Sequence, residues 1–290
     1  MIPPPFEYEA PKTIPEAVGL LTQHADAKVL AGGQSLIPMM RFRLASPALL
    51  VDINRIAGLD YIREEDGWLK IGALTHEADL DRSPIVRSRY RLLSDTCHMI
   101  ADPTVRNLAT MGGNLSHADP ANDHPAAMLA YGAQVVASGP RGSRIIAIED
   151  FFTGPFESAL SHDEILTEVR IPVPQPFSSG AYQKMERKVG DFATAAVAVQ
   201  IRVDQDHVCT QVGIGLTNVG LTPIKAVMAE RALVGRRLDD GVIHEAARLA
   251  GEAAEPQADQ RGTEEYKRSL VRTLTVRALR MALGRLDGGK

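Results

Sequence analysis

Cysteine is nearly absent from this 290-residue chain, with Cys97 and Cys209 the only two. So few, and so far apart, they exclude a cysteine-ligated iron–sulfur cluster or a cysteine-rich zinc site within the chain. They read as reduced core thiols rather than a disulfide. Aromatic residues are also scarce, at 5%, so each one near a site carries weight. No apolar run approaches the ~18–20 residues of a membrane span. The opening MIPPPFEYEAP lacks the positive start of a signal peptide. A formal charge of −4 excludes a general nucleic-acid binder. The expectation is a soluble, cytoplasmic protein with no membrane span and no nucleic-acid partner. Several motifs are missing too. There is no G-x-G-x-x-G, no P-loop lysine, no G-x-S-x-G elbow, and no H-x-x-x-H on a helix. No catalytic residue and no metal ligand is therefore assigned.

What is present is a pair of glycine turns. Ala31-Gly32-Gly33-Gln34-Ser35 follows the apolar Val29-Leu30, and Thr110-Met111-Gly112-Gly113-Asn114 opens the run TMGGNLSHADPANDHP. Adjacent glycines let a backbone approach a ligand closely and let successive N–H groups converge on an anion. Two such turns could grip one elongated phosphate-bearing ligand from two sides. The run from Thr110 to Pro125 shows no helical or strand periodicity and reads as a polar loop. Its His117 and His124, flanking Asp119 and Asp123, read as solvated or hydrogen-bonding loop histidines rather than metal ligands. His117 suits ligand hydroxyls or a partner surface.

Thr13, Pro15 and Glu16 spell the start of a helix reaching His24, with a capping box. Strands at 28–30 and 48–53 flank a helix over 36–44 that Ser35 can cap, implying a small parallel α/β unit. A hairpin follows at 59–63 and 68–71. Short helices follow from His76, capped by Thr75, and from Pro84, then a longer one over 91–101 ended by Asp102-Pro103. Asp123 is placed to cap a helix over 125–131. A second hairpin spans 134–138 and 143–148, and a strand covers 164–171. Pro172 to Pro176 is the best domain boundary. Beyond it, strands at 181–187, 194–203 and 208–216 precede helices at 223–234, 239–254 and 263–286. Strands first and helices after read as α+β. Residues 287–290 are expected to fray.

Four stretches carry a resemblance: VLAGGQSLIP from Val29, ADPTVRNLATMGGNLSHADPANDHPA from Ala101, YQKMERKVGDFATAAVAV from Tyr182 and GLTNVGLTP from Gly215. Together they resemble the FAD-binding medium subunits of molybdenum hydroxylases, closest to the carbon monoxide dehydrogenase branch. The resemblance implies a PCMH/vanillyl-alcohol-oxidase-type FAD-binding domain over 1–175, with subdomains of about 1–55 and 56–175. A C-terminal domain over 176–290, with a three-stranded antiparallel sheet and helices, would follow. It implies FAD as cofactor, with the molybdenum cofactor and the 2Fe–2S clusters confined to a large and a small partner subunit. The assembly implied is a dimer of heterotrimers, with peripheral membrane association through a quinone acceptor. Ala31, Gly32, Gly33, Gln34, Ser35 and Leu36 match the first FAD loop, and Thr110, Met111, Gly112, Gly113 and Asn114 the second. Asp123 matches an acidic cofactor contact, Ile165 and Leu166 apolar contacts, and Lys184 a basic position. Two departures stand out. Gln34 replaces a frequent His, and Gln cannot attach flavin covalently, so FAD is expected to be non-covalent. Phe192 replaces a frequent Tyr, keeping the ring and losing its hydroxyl. The alternative is a stand-alone FAD oxidase or dehydrogenase of the same fold with its own substrate pocket.

Overall fold

A computed structural model describes residues 2–287 of the chain. The first unit begins with strand β1 (Glu7–Glu9), helix α1 (Ile14–Gln23), strand β2 (Ala27–Leu30), helix α2 (Leu36–Arg41) and strand β3 (Leu49–Asp52). The three strands run parallel in the order β1-β3-β2. Thr13 Oγ1 accepts from Glu16 N–H at 3.3 Å, so α1 starts where its sequence spells, but Glu16 Oε2 accepts from Lys12 N–H rather than from the cap residue as the expected capping box requires. Ala17, Val18 and Leu21 then bury one face of α1 against β2 and β3. The edge strand β1 escapes sequence reading because an exposed Glu-Tyr-Glu has no apolar pattern. Helix α2 is shorter than expected. Arg43 turns left-handed (φ 60°), and the N–H groups of Arg43 and Leu44 cap the carbonyls of Met40 and Met39 in a Schellman motif without glycine. Ser35 makes no side-chain cap bond.

The second unit is an antiparallel sheet of β4 (Ile62–Glu65), β5 (Trp68–Gly72), β6 (Gln134–Gly139), β7 (Gly142–Ala147) and, after the short pair β8 (Phe152–Gly154) and β9 (Glu157–Ser158), β10 (Ile165–Pro172). The order is β4-β5-β10-β6-β7, which puts β10 at the centre, where its first five residues are all buried. Helices α3 (Glu77–Arg82), α4 (Pro84–Arg89), α5 (Arg91–Met99), α6 (Pro103–Arg106), α7 (Met111–His117) and α8 (His124–Tyr131) fill the segment between the hairpins. Several expectations are corrected here. Thr75 does not cap α3; its hydroxyl exchanges hydrogen bonds with the backbone of Tyr61. Helix α5 stops at Met99, and Asp102 caps the unexpected α6 by accepting from Thr104 and Val105. The run from Thr110 is not a loop at its start: Thr110 caps α7, and Ala118 ends it in the left-handed region. Two glycines hid that helix from a propensity-based reading. Asp123 stands at the start of α8 but makes no cap bond, because its carboxylate is engaged elsewhere.

The third unit is the antiparallel sheet β11 (Ser178–Met185), β12 (Ala195–Val203), β13 (Cys209–Thr217) and β14 (Ile224–Lys225). The fourth strand, two residues long, adds to the three expected. It delays the next helix, α9 (Val227–Leu233), relative to the expected start at 223. Helices α10 (Asp240–Ala253) and α11 (Glu264–Asp287) follow; Asp239 caps α10 by accepting from Val242 N–H. The fraying expected beyond Asp287 falls on residues outside the described ones. Helix α11 packs on one face of this sheet and α8 on the other. Every residue of α8 is buried. Its backbone lies so close to β13 that a Cβ on Gly213 or Gly215 would sit 2.0 Å from the carbonyl oxygens of Ala130 and Ala126. Glycine is the only residue that allows this approach. The core of the second unit accordingly continues into Tyr182, Ala193, Ala196 and Ala198 of the third.

Candidate functional site

The two glycine turns meet. Gly32 lies so near the second turn that a Cβ there would stand 2.0 Å from the Leu108 carbonyl oxygen, and Gly113 faces Ala31 Cβ across 3.9 Å from an ideal Cβ. Sequence separation concealed this contact, which sets the turn after β2 against the Leu108–Ala109 segment between α6 and α7.

Their hydrogen bonding differs. In the first turn the N–H groups of Gly32, Gly33, Gln34 and Ser35 find no acceptor among the described residues. Carbonyls, by contrast, are tied down: Ala31 O accepts from Asn54 Nδ2 (3.0 Å), and Gly32 O from Gln34 Nε2 (3.1 Å). Gly33 adopts φ 70°, which lets the chain swing from β2 into α2. Asn54 is a supporting residue that sequence reasoning missed. Its only signal was an amide two residues after the strand-ending Asp52, whose Oδ1 it also contacts.

In the second turn the four N–H groups from Met111 to Asn114 are used within the protein. Met111 donates to Thr75 O, Gly112 to Ala73 O, Gly113 to Thr110 Oγ1 and Asn114 to Thr110 O. A Cβ on Gly112 would stand 2.6–2.9 Å from atoms of Ala73, so this glycine serves close packing. Of the N–H donors expected from both turns, those of Met111 to Asn114 are already engaged inside the protein, whereas those of Gly32 to Ser35 are not. Thr110, Met111 and Gly112 are buried; only Gly113 and Asn114 reach the partly exposed surface. Asn114 Oδ1 is buried without a partner among the described residues, a free acceptor at the lip of the site.

Behind the turns lies a buried polar network. Asp123 Oδ1 accepts from the Tyr182 hydroxyl at 2.5 Å, and Oδ2 accepts from Lys184 Nζ at 3.1 Å. Lys184 Nζ also donates to Met99 O (3.0 Å) and stands 3.3 Å from Glu186 Oε2. Burial pushes the Asp123 carboxyl above its ordinary value, against the pull of Lys184 and Tyr182. Burial and then Asp123 push the Tyr182 phenol well above its own. Both oxygens of Asp123 thus engage protein donors, and its carboxylate fixes Lys184 Nζ. Ile165 joins the core of the first unit and Leu166 that of the second, so the pair marks the seam where the units join. Phe192, half exposed in the loop before β12, meets no other ring among the described residues; its N–H donates to Asp191, which Arg187 and Arg261 hold.

The histidines are not solvated loop residues. His117 closes α7 with its ring 5.3 Å from that of Phe156, and burial lowers its pKa, opposed by Asp119. His124 opens α8 fully buried, with Nε2 2.7 Å from Oε2 of the equally buried Glu77. The buried Cys97 lies beside them, and donor atoms of the three fall within 4.8 Å of one another. Two ligands of one tetrahedral zinc stand about 3.3 Å apart, so the 2.7 Å contact is a hydrogen bond rather than half of a metal site.

Such a site, with a row of free N–H groups beside a close-packed glycine turn and an unpartnered Asn oxygen, suits a diphosphate-bearing cofactor with polar groups to spare. Comparison with known proteins agrees. Residues 4–174 match the family model described as the FAD binding domain in molybdopterin dehydrogenase. Residues 180–282 match the CO dehydrogenase flavoprotein C-terminal domain. The chain is 44% identical over 286 residues to a carbon monoxide dehydrogenase medium chain of Hydrogenophaga pseudoflava, covering 98% of this chain and 99% of that one. It is 35% identical to the caffeine dehydrogenase subunit beta of Pseudomonas sp. strain CBB1, over 99% of this chain and 97% of that one. A solved structure of the H. pseudoflava carbon monoxide dehydrogenase lacking the Mo-pyranopterin moiety of its cofactor superposes with a TM-score of 0.96, at 45% identity over 98% of this chain and 99% of that one. The chain belongs to the family of FAD-containing medium subunits of heteromeric molybdenum hydroxylases, and is an oxidoreductase subunit of that kind.

Proposed function

We propose that the chain holds FAD non-covalently along the first glycine turn and passes electrons within a three-subunit complex of the carbon monoxide dehydrogenase type. One observation carries the reading: the unpartnered N–H groups of Gly32 to Ser35, in a turn that abuts the second turn and its free Asn114 oxygen. The diphosphate would accept from those N–H groups, with no lysine required. Ala31, Leu36, Thr110, Met111, Gly112 and Gly113 would shape the cleft, and Asn114 Oδ1 would accept from a cofactor hydroxyl or N–H. Ile165 and Leu166 would offer apolar contact at the seam, Lys184 a positive charge fixed by Asp123, and Phe192 a ring to cover the flavin. Gln34, with its amide turned back onto Gly32 O, has no means of covalent attachment. When bound, the flavin supplies reversible electron acceptance, and the protein supplies its orientation and electrostatics.

Both cysteines are buried, and neither can contribute to a cluster, so the 2Fe–2S centres belong to a small partner subunit and the molybdenum cofactor to a large one. The complex would be a cytoplasmic dimer of heterotrimers that reaches the membrane peripherally through a quinone. Residues 1–175 would hold the cofactor and 176–290 form the C-terminal domain. The visible spectrum of the purified full chain supplied with FAD tests the central point. Flavin bands, FAD released by acid, and no turnover by the chain alone are expected. A colourless chain sinks the proposal, and turnover of an organic substrate by the isolated chain would favour a stand-alone oxidase.

A further inference from the structure

Glu77 and His124 are the pair that the function above leaves unused. Both side chains are fully buried, they share one 2.7 Å hydrogen bond, and Glu77 Oε1 and His124 Nδ1 have no hydrogen-bond partner among the described residues. Unsatisfied buried polar atoms cost stability, and apolar residues of the same volume would fill this space as well or better. Stability is therefore a poor account of the pair, and its connections supply another. Glu77 ends the segment that holds the second glycine turn. Ala73 O and Thr75 O take the N–H groups of Gly112 and Met111, and Glu77 N–H donates to Ala109 O at 2.9 Å. His124 is joined directly to Asp123, which grips Lys184 and Tyr182. The single side-chain hydrogen bond between them bridges the backbone carrying the second turn and the backbone carrying the carboxylate behind it.

We propose that Glu77 and His124 are positioning residues, which fix the second glycine turn and the Asp123–Lys184 pair in one register so that both meet the cofactor together. The inference rests on the FAD reading above. It predicts that the pair is felt in cofactor binding rather than in folding. The test is the full-length Glu77→Leu/His124→Leu variant, which removes both polar groups, keeps volume and leaves no unpaired buried charge. Its melting temperature without FAD should match the parent chain or exceed it. Its FAD dissociation constant, read by quenching of flavin fluorescence, should rise about tenfold, and the absorption maximum of bound flavin should shift. Glu77→Gln, which keeps a hydrogen bond to His124, should restore affinity to within about threefold. Leu274→Ala, in the core between α11 and strands β11 and β12, is the stability control. It should lower the melting temperature and leave the dissociation constant alone.

Equal FAD affinity in the parent and the double variant overturns the inference and leaves the FAD reading intact. A parent chain that binds no FAD overturns both. If the double variant fails to fold, the pair is a folding requirement and the inference falls. Stoichiometric zinc in the parent chain by elemental analysis would overturn it as well, by making the pair a metal site.

Discussion

The two glycine turns share a sequence signature and do opposite work. Among the described residues the first keeps the N–H groups of Gly32 to Ser35 free and ties down its carbonyls; the second commits those of Met111 to Asn114 to the protein and uses Gly112 to press α7 onto Ala73. The first is an open donor row and the second a wedge that holds that row's far wall. A glycine pair in sequence therefore announces close backbone approach, and only the partners decide whether the thing approached is a ligand or another strand of the same chain.

The contrast can be broken most severely at the contact itself. Gly32→Val would drive a side chain into the Leu108 carbonyl, which is backbone and cannot rotate away. It should abolish FAD retention, measured as flavin per chain after gel filtration, and a loaded variant would show that the turns need not touch. Gly113→Val comes next. Its Cβ would stand 2.8 Å from Thr110 Oγ1 and 3.9 Å from Ala31 Cβ, at the contact between the two turns. FAD affinity should fall more than tenfold while thermal unfolding of the C-terminal helices keeps its midpoint; normal occupancy would place the cofactor elsewhere. Thr110→Ala removes the cap that accepts from Gly113 N–H. It should cost about 1 kcal/mol of stability, seen as a lower melting temperature, with Thr110→Ser restoring it.

The smallest effect is a pH dependence at the far end of α7. Burial depresses the His117 pKa below 6.5, so the unfolded chain takes up its proton first. The stability that neutral His117 contributes is complete above about pH 6.5 and is lost as pH falls from there through the lower folded value. His117→Gln should flatten the melting-temperature profile across that interval, and an unchanged slope would assign it to other groups.

Much of this was legible in the chain. The cap at Thr13, the hairpins and the strands-then-helices order of the last third depend on local chemistry, and local chemistry is written in sequence. The family resemblance rode on four motifs that kept their order. What stayed hidden depended on contacts distant in sequence. The edge strand β1 has no apolar face, and Arg43 takes a left-handed cap that glycine would have advertised. Asp123 stands where a cap belongs and turns instead to Tyr182 and Lys184, some sixty positions on. His124 looks solvated beside Asp119 and Asp123, yet α8 carries it into the core. Asn54 and the Ala73–Glu77 segment hold the two turns without any motif of their own.

Helix α8 has a consequence for how this chain can be cut or inherited. All eight of its residues are covered, one flank by the second unit and the other by strand β13, whose Gly213 and Gly215 admit its bare backbone. Residues 1–175 made alone would present that flank to water as an apolar stripe with nothing to lie on. The two halves that family models recognise separately are thus not interchangeable modules. Any exchange of the C-terminal half with a relative has to bring along glycines at those two positions, or the helix that begins beside Asp123 loses its seat.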